Sequence, residues 1–87
     1  LMFNNYHKSL IGSIVKIEAR TCLRLDSSID NNRIIYNFFH GDFVFIIDVI
    51  QNKFEGLSVY HHCLVLGDGV IGYCFLSKYE VTNKITG

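Results

Sequence analysis

The chain has 87 residues, of which 49% are hydrophobic, 14% aromatic and 18% charged, and Lys plus Arg balance Asp plus Glu at 8 each. That length holds one domain and no more. Zero net charge argues against a general nucleic-acid binder, whose affinity comes largely from neutralising phosphates, and the longest apolar runs are too short for a membrane-spanning helix.

A chain this small keeps much of its surface in water. Its composition is apolar for that size, and the surplus points to surface that docks against something. The three cysteines, Cys22, Cys63 and Cys74, cannot all pair, and no CxxC spacing occurs. Disulfide-dependent secreted domains use more cysteines, in even numbers. The expectation is therefore a reduced, cytoplasmic setting with the cysteines as small apolar residues. No signal peptide is visible. Leu1 before Met2 reads as a cloning remnant, and abundant Ile, Asn, Tyr and Phe with no Pro or Trp is associated with AT-rich genomes. That association suggests a phage or viral source, with the host cytoplasm as location.

In chain order, "LMFNNYHKSL" (1–10) has no period and reads as an extended arm, with 11–87 as the domain. "SIVKIEA" alternates Ile14, Lys16 and Glu18 against Val15, Ile17 and Ala19, and "RTCLRL" follows as a second strand. "DSSIDNN" is a loop of turn formers. "RIIYNFF" is strand-like, and "HGD" turns tightly into "FVFIIDVI". That stretch is apolar on both sides: Phe43, Phe45, Ile47 and Val49 on one, Val44, Ile46 and Ile50 on the other, interrupted by Asp48. "QNKFEG" is a loop, "LSVYHHCLVL" a long strand, and "GDG" at 67–69 leads into "VIGYCFL" as the strongest hairpin signal. "SKYE" allows one helical turn and "VTN" closes the sheet as a last short strand. No window of helical length has apolar residues at helical spacing. The chain reads as all-β, with five or six short strands. Curling them into a small barrel buries one face and protects the edges.

This order of elements resembles the SH3-like barrel, and the bacterial SH3 domain in particular, over roughly residues 12 to 82. "CLRL" at 22–25 stands where that family has an "NVR"-like segment, "HGDFVFI" where it has Gly-Asp before an apolar strand, and "GDGVIGYCFLSKYEV" at its closing hairpin and turn. Tyr73 replaces the family's usual Trp, and "LDS" replaces "SGP". The resemblance implies a fold. Without Trp, Pro or an "ALYDY"-like segment it does not imply recognition of proline-rich peptides.

No catalytic signature is present, and the expected role is a non-catalytic binding or assembly module without cofactor or metal. In "YHHC" (60–63), His61 and Cys63 share one face of a strand while His62 points the other way, so the three cannot converge on a metal. Nothing supplies an oxyanion hole or orienting carboxylate for Cys–His catalysis. Asp42, Asp48, Asp68 and Glu80 could supply carboxylates, but Asp42 and Asp68 sit beside turn glycines, where carboxylates bond backbone N–H groups.

In the SH3-like register Val44 and Ile46 point inward with Leu64, Leu66 and Cys74. Phe43, Phe45, Ile47 and Val49 then lie outside, joined by Cys63, Val65, Val70 and Ile71. This outer face is the expected contact with a protein partner or a second copy; the competing cover is the arm, through Met2, Phe3 and Tyr6. The alternative function is nucleic-acid contact through Lys16, Arg20, Arg24 and Arg33, as in some SH3-like (KOW-like) ribosomal and transcription modules, with Glu18, Asp26 and Asp30 diluting the charge.

Overall fold

Successive positive φ angles, 51° at Asp68 and 76° at Gly69, define a tight turn. They make a two-residue type I′ turn, whose twist matches that of the strands it joins. These strands are β5 (Tyr60–Gly67) and β6 (Val70–Ser77), paired along their whole length from Gly67↔Val70 to Tyr60↔Ser77. The computed structural model describes residues 9–50 and 60–85, so most of the arm and the "QNKFEG" loop lie outside the described residues.

Four more strands build on this hairpin: β1 (Ile14–Lys16), β2 (Thr21–Arg24), β3 (Ile34–Phe38) and β4 (Phe43–Val49). They form one six-stranded sheet in the order β1-β4-β5-β6-β2-β3, antiparallel throughout. Among the described residues the fold is all-β, with one short α-helix, α1 (Lys78–Thr82), and a 3-10 turn at Asn31–Arg33. The ladders leave the sheet open between β1 and β3, where the expected barrel would close. The sheet is nevertheless curled. Phe38, on the edge strand β3, lies so close to Gly67 and Val44 that a Cβ at residue 67 would sit 2.7 Å from its ring. Tyr36, also on β3, donates its hydroxyl to Asp68 Oδ2 at 2.7 Å across the β5–β6 turn.

The concave face carries the core: Val15, Ile17, Leu23, Phe38, Val44, Ile46, Cys63, Val65, Cys74 and Leu76. Leu10, from the stretch read as the arm, is buried with them, and so is Val81 of α1. Three sequence expectations change here. "VTN" is not a strand: Val81 and Thr82 finish α1, and Asn83 caps it. The reason is the capping box, in which Ser77 Oγ accepts from the Glu80 N–H and Glu80 accepts from the Ser77 N–H. Leu76 and Val81 occupy the staple positions on either side of that cap, and both are buried.

The second change concerns β5. Leu64 and Leu66 were expected inside and Cys63 and Val65 outside, but Cys63 and Val65 are fully buried and Leu66 is 39% exposed. Opposite residues in an antiparallel pair share a face. Ile46 pairs with Val65 and Phe45 with Leu66, so burying Ile46 buries Val65 and turns Leu66 out.

The third concerns β4, which carries a bulge between Ile46 and Asp48. An extra residue reverses the alternation beyond it. Val49 therefore packs against the core, while Ile47 is only half-buried. Val70, also expected outside, packs against the core as well.

Besides Gly67, two more glycines of this hairpin are required, Gly69 by its φ and Gly72 by space. Gly69→Val, at a φ that a β-branched residue resists, is expected to cost about 1–3 kcal/mol. Gly72→Ala would place a Cβ 2.7 Å from the Arg24 carbonyl oxygen, an overpacking cost of about 1–3 kcal/mol. Urea denaturation reads both. A loss under about 0.5 kcal/mol for either, the usual scale of a neutral surface change, would contradict this account of the hairpin.

Candidate functional site

Among the described residues, the convex face of β1, β4, β5 and β6 carries an exposed apolar strip that the ladders assemble. Ile14 pairs with Phe45, Phe45 with Leu66, and Leu66 with Ile71, which makes one row across four strands. Phe45 is 41% exposed, Ile71 57%, and Phe43, one step along β4, 52%. Lys16 flanks the row opposite Phe43. Asp48, beyond the bulge and opposite Leu64, flanks its other side and turns its carboxylate onto its neighbour's backbone N–H, at Val49.

Of the expected contact residues, the structure brings Phe43, Phe45 and Ile71 together on this face and adds Leu66. Ile47 lies at the bulge. Val49, Val65 and Val70 belong to the other face. Counting back from the Gly67↔Val70 pair would have exposed the error, because it places 63, 65, 72 and 74 on one side.

Next to this row the convex face becomes aromatic and basic. His62 is buried there despite pointing away from the core, stacked on Phe75 with ring centroids 4.3 Å apart and edge-on to Tyr73 at 6.1 Å. Loss of hydration, and then the nearby positive charge of Arg24, hold its imidazole below the ordinary histidine range. Arg24 pairs opposite Tyr73 and donates from Nη2 to Asn31 Oδ1 at 3.0 Å. Arg33 Nε lies 3.4 Å from Asp26 Oδ2, Arg20 is exposed on the β1–β2 connection, and β4, β5 and β6 separate the strand of Lys16 from that of Arg24 in sheet order. The structure thus gathers Arg24 and Arg33 around one loop and leaves Lys16 elsewhere.

The carboxylates serve the fold. Asp42 accepts from the Phe39 N–H at 2.8 Å, as its turn position suggests. Asp68 instead takes the Tyr36 hydroxyl, which holds that phenol above its ordinary range, chiefly through the hydrogen bond. Glu80 is buried; one oxygen accepts from the Ser77 N–H at 2.8 Å and the other from the Glu18 N–H at 2.7 Å. It lines a half-open cleft of about 180 Å³ with Arg20, Tyr60 and Phe75. The sequence offers Glu80 only as one possible carboxylate among four; Ser-x-x-Glu at a helix start is the signal of its capping role.

Among the described residues no cluster of His, Cys, Asp and Glu could hold a metal ion, and no helix is long and apolar enough to cross a membrane. No protein-family model, curated protein or solved structure matches the chain.

The burial of His62 has a pH signature. The unfolded imidazole titrates near 6.5 and the folded one lower. Between those values the unfolded state binds the extra proton, so stability is undiminished above pH 6.5 and falls as pH drops below it. The melting midpoint should fall between pH 7.5 and 5.5, and His62→Phe, which keeps a ring against Phe75, should reduce that fall. An unchanged pH slope in the variant would show that His62 is not responsible.

Proposed function

We propose that this chain is a non-catalytic protein-binding or assembly module of SH3-like barrel type. It would meet another protein, or a second copy of itself, through the convex row of Phe43, Phe45, Leu66 and Ile71. The observation that carries this reading is the continuity of the row. Apolar side chains from adjacent strands stand side by side and exposed, and soluble monomers rarely keep such strips without a use. The curled sheet and the hairpin with its capped turn support the SH3-like assignment, and the composition supports a phage or viral accessory role in a cytoplasm. The internal hydrogen bonds of Asp42, Asp68 and Glu80 give those carboxylates structural work in place of acid–base work.

Burying a large apolar side chain contributes about 1.5–3 kcal/mol, so a few residues of this row could hold a partner. Its charged flanks, Lys16 and Asp48, act as gatekeepers against unspecific pairing.

Phe45→Glu should leave the chain folded, with a stability change of about 1 kcal/mol, and abolish association. Val65→Glu, which puts a charge into the core, should unfold it, because the cost is several kcal/mol against a total of about 5–10 kcal/mol. Sedimentation across a concentration series, with capture of partners from the source, reads the first variant; circular dichroism reads both. If Phe45→Glu associates as the wild type does, the row is not the contact. Oligonucleotide binding that weakens steeply with salt would move the function to Lys16, Arg20, Arg24 and Arg33.

A further inference from the structure

Strands β1, β4, β5 and β6 hold one lysine and one aspartate, Lys16 and Asp48, and no other Asp, Glu, Lys or Arg. Both lie on the convex face. Lys16 is exposed between the buried Val15 and Ile17, so it shares the side of Ile14. Asp48 is exposed and stands opposite Leu64, on the side of Leu66. Neither has an ion-pair partner among the described residues, although Asp48 Oδ1 accepts from the Val49 N–H.

The registers set these two charges at opposite corners of the apolar row. Lys16 is level with Phe43, two residues to one side of Phe45. Asp48 is level with Leu64, two residues to the other side of Leu66, and Phe45 and Leu66 are themselves level. Along the strands the charges are therefore about 13 Å apart, at ~3.3 Å per residue, and they are offset by the ~4.8 Å between β1 and β4.

A face with this layout is complementary to itself. A two-fold axis in the plane of contact, roughly 20° from the row and passing between Ile14 and Phe45, sets Lys16 of one protomer over Asp48 of its partner. The same contact recurs on the other side of the axis. Phe43 of each protomer then falls over Leu64 and Leu66 of the other. The strands of the two sheets cross at about 40°, close to the ~30° of stacked sheets with aligned strands, and the flexible stem of lysine takes up the difference. Charge balance over the whole chain, 8 basic against 8 acidic residues, removes the self-repulsion that keeps small proteins apart.

We infer that the occupant of this face is a second copy of the chain, in an isologous dimer whose apolar rows cross at the two-fold axis and whose Lys16 and Asp48 pair reciprocally. This dimer presupposes the row as the contact surface and fixes what covers it. Apolar burial holds the copies together, and the two charges choose the orientation.

Charge reversal in the full chain tests this, read by sedimentation across a concentration series up to about 1 mM, with circular dichroism checking the fold. Wild type should dimerise. Lys16→Glu and Asp48→Lys should each weaken self-association about 10-fold or more, because each puts two like-charged pairs into the interface. Mixed in equal amounts, the two variants should associate about as tightly as wild type, since both charge contacts of the mixed dimer join opposite signs. The double variant Lys16→Glu/Asp48→Lys should recover dimerisation for the same reason. Should Asp48→Lys fail to fold without its bond to Val49, a salt series decides: added salt should weaken the wild-type dimer and strengthen that of Lys16→Glu. The dimer is overturned if wild type stays monomeric up to about 1 mM, if the single reversals associate as wild type does, if the mixture fails to recover, or if salt moves wild type and Lys16→Glu alike. A monomeric wild type that captures another protein, and loses it on Phe45→Glu, overturns the second copy while keeping the row as a contact. Self-association untouched by Phe45→Glu overturns both.

Discussion

The type I′ turn at Asp68-Gly69 decides which way most of the sheet faces. A two-residue turn leaves no freedom of register: Gly67 must oppose Val70, and every later pair of the hairpin follows. Since strand side chains alternate, that one junction sends Cys63, Val65, Cys74 and Leu76 inward and leaves Leu66, Ile71 and Tyr73 for the other face. β4 then docks on β5 with Ile46 opposite Val65, and β1 docks on β4 with Val15 opposite Val44. Each strand inherits its inside and outside from its neighbour. Gly72 lets the same hairpin accept β2 closely on its far side, where a side chain would collide with the Arg24 carbonyl.

The bulge in β4 explains how an almost wholly apolar strand can be accommodated. Before it, Phe43 and Phe45 face out and Val44 and Ile46 face in; beyond it, Asp48 faces out and Val49 faces in. A regular strand would have aimed Asp48 at the core, where a carboxylate without partners costs several kcal/mol. The extra residue at Ile47 turns the charge to solvent and confines the apolar strip to the end of the sheet nearest the β5–β6 turn. The strip is therefore short, and its charged border is made by a change of pleat.

Much of the fold was legible. The strand alternation, the Gly-Asp-Gly turn and the helical turn at "SKYE" each stand on local chemistry that the chain does not override. The faces were harder, because β4 and β5 are apolar on both sides and a one-residue error costs nothing in pattern. Only pairing distinguishes Leu64 and Leu66 from Cys63 and Val65, and pairing is not a property of one segment. Val81 misled for a related reason. β-branched residues favour strands, but the capping box at Ser77 and Glu80 commits the backbone before Val81 is reached. The burial of His62 depends on neighbours from β6, at Tyr73 and Phe75, so no local reading could have found it.

The attachments of β1 bear on how the protein is made. Its first residue, Ile14, gives its carbonyl to the N–H of Ile85 at 2.8 Å. Just past its last, the Glu18 N–H is held by Glu80, 62 positions away in sequence, and Lys84 reaches the Ser9 carbonyl across 75. Of this sheet, β1 leaves the ribosome ahead of β2 to β6 and is thus among the last to be secured. While β4 to β6 are being translated, Val15 and Ile17 have no core to enter, and an unpaired apolar strand at this stage is open to capture by a neighbouring nascent chain. Pairings so distant in sequence place such a domain toward the slow end of two-state folding. High expression rates and crowded polysomes should therefore penalise its yield more than its final stability would suggest.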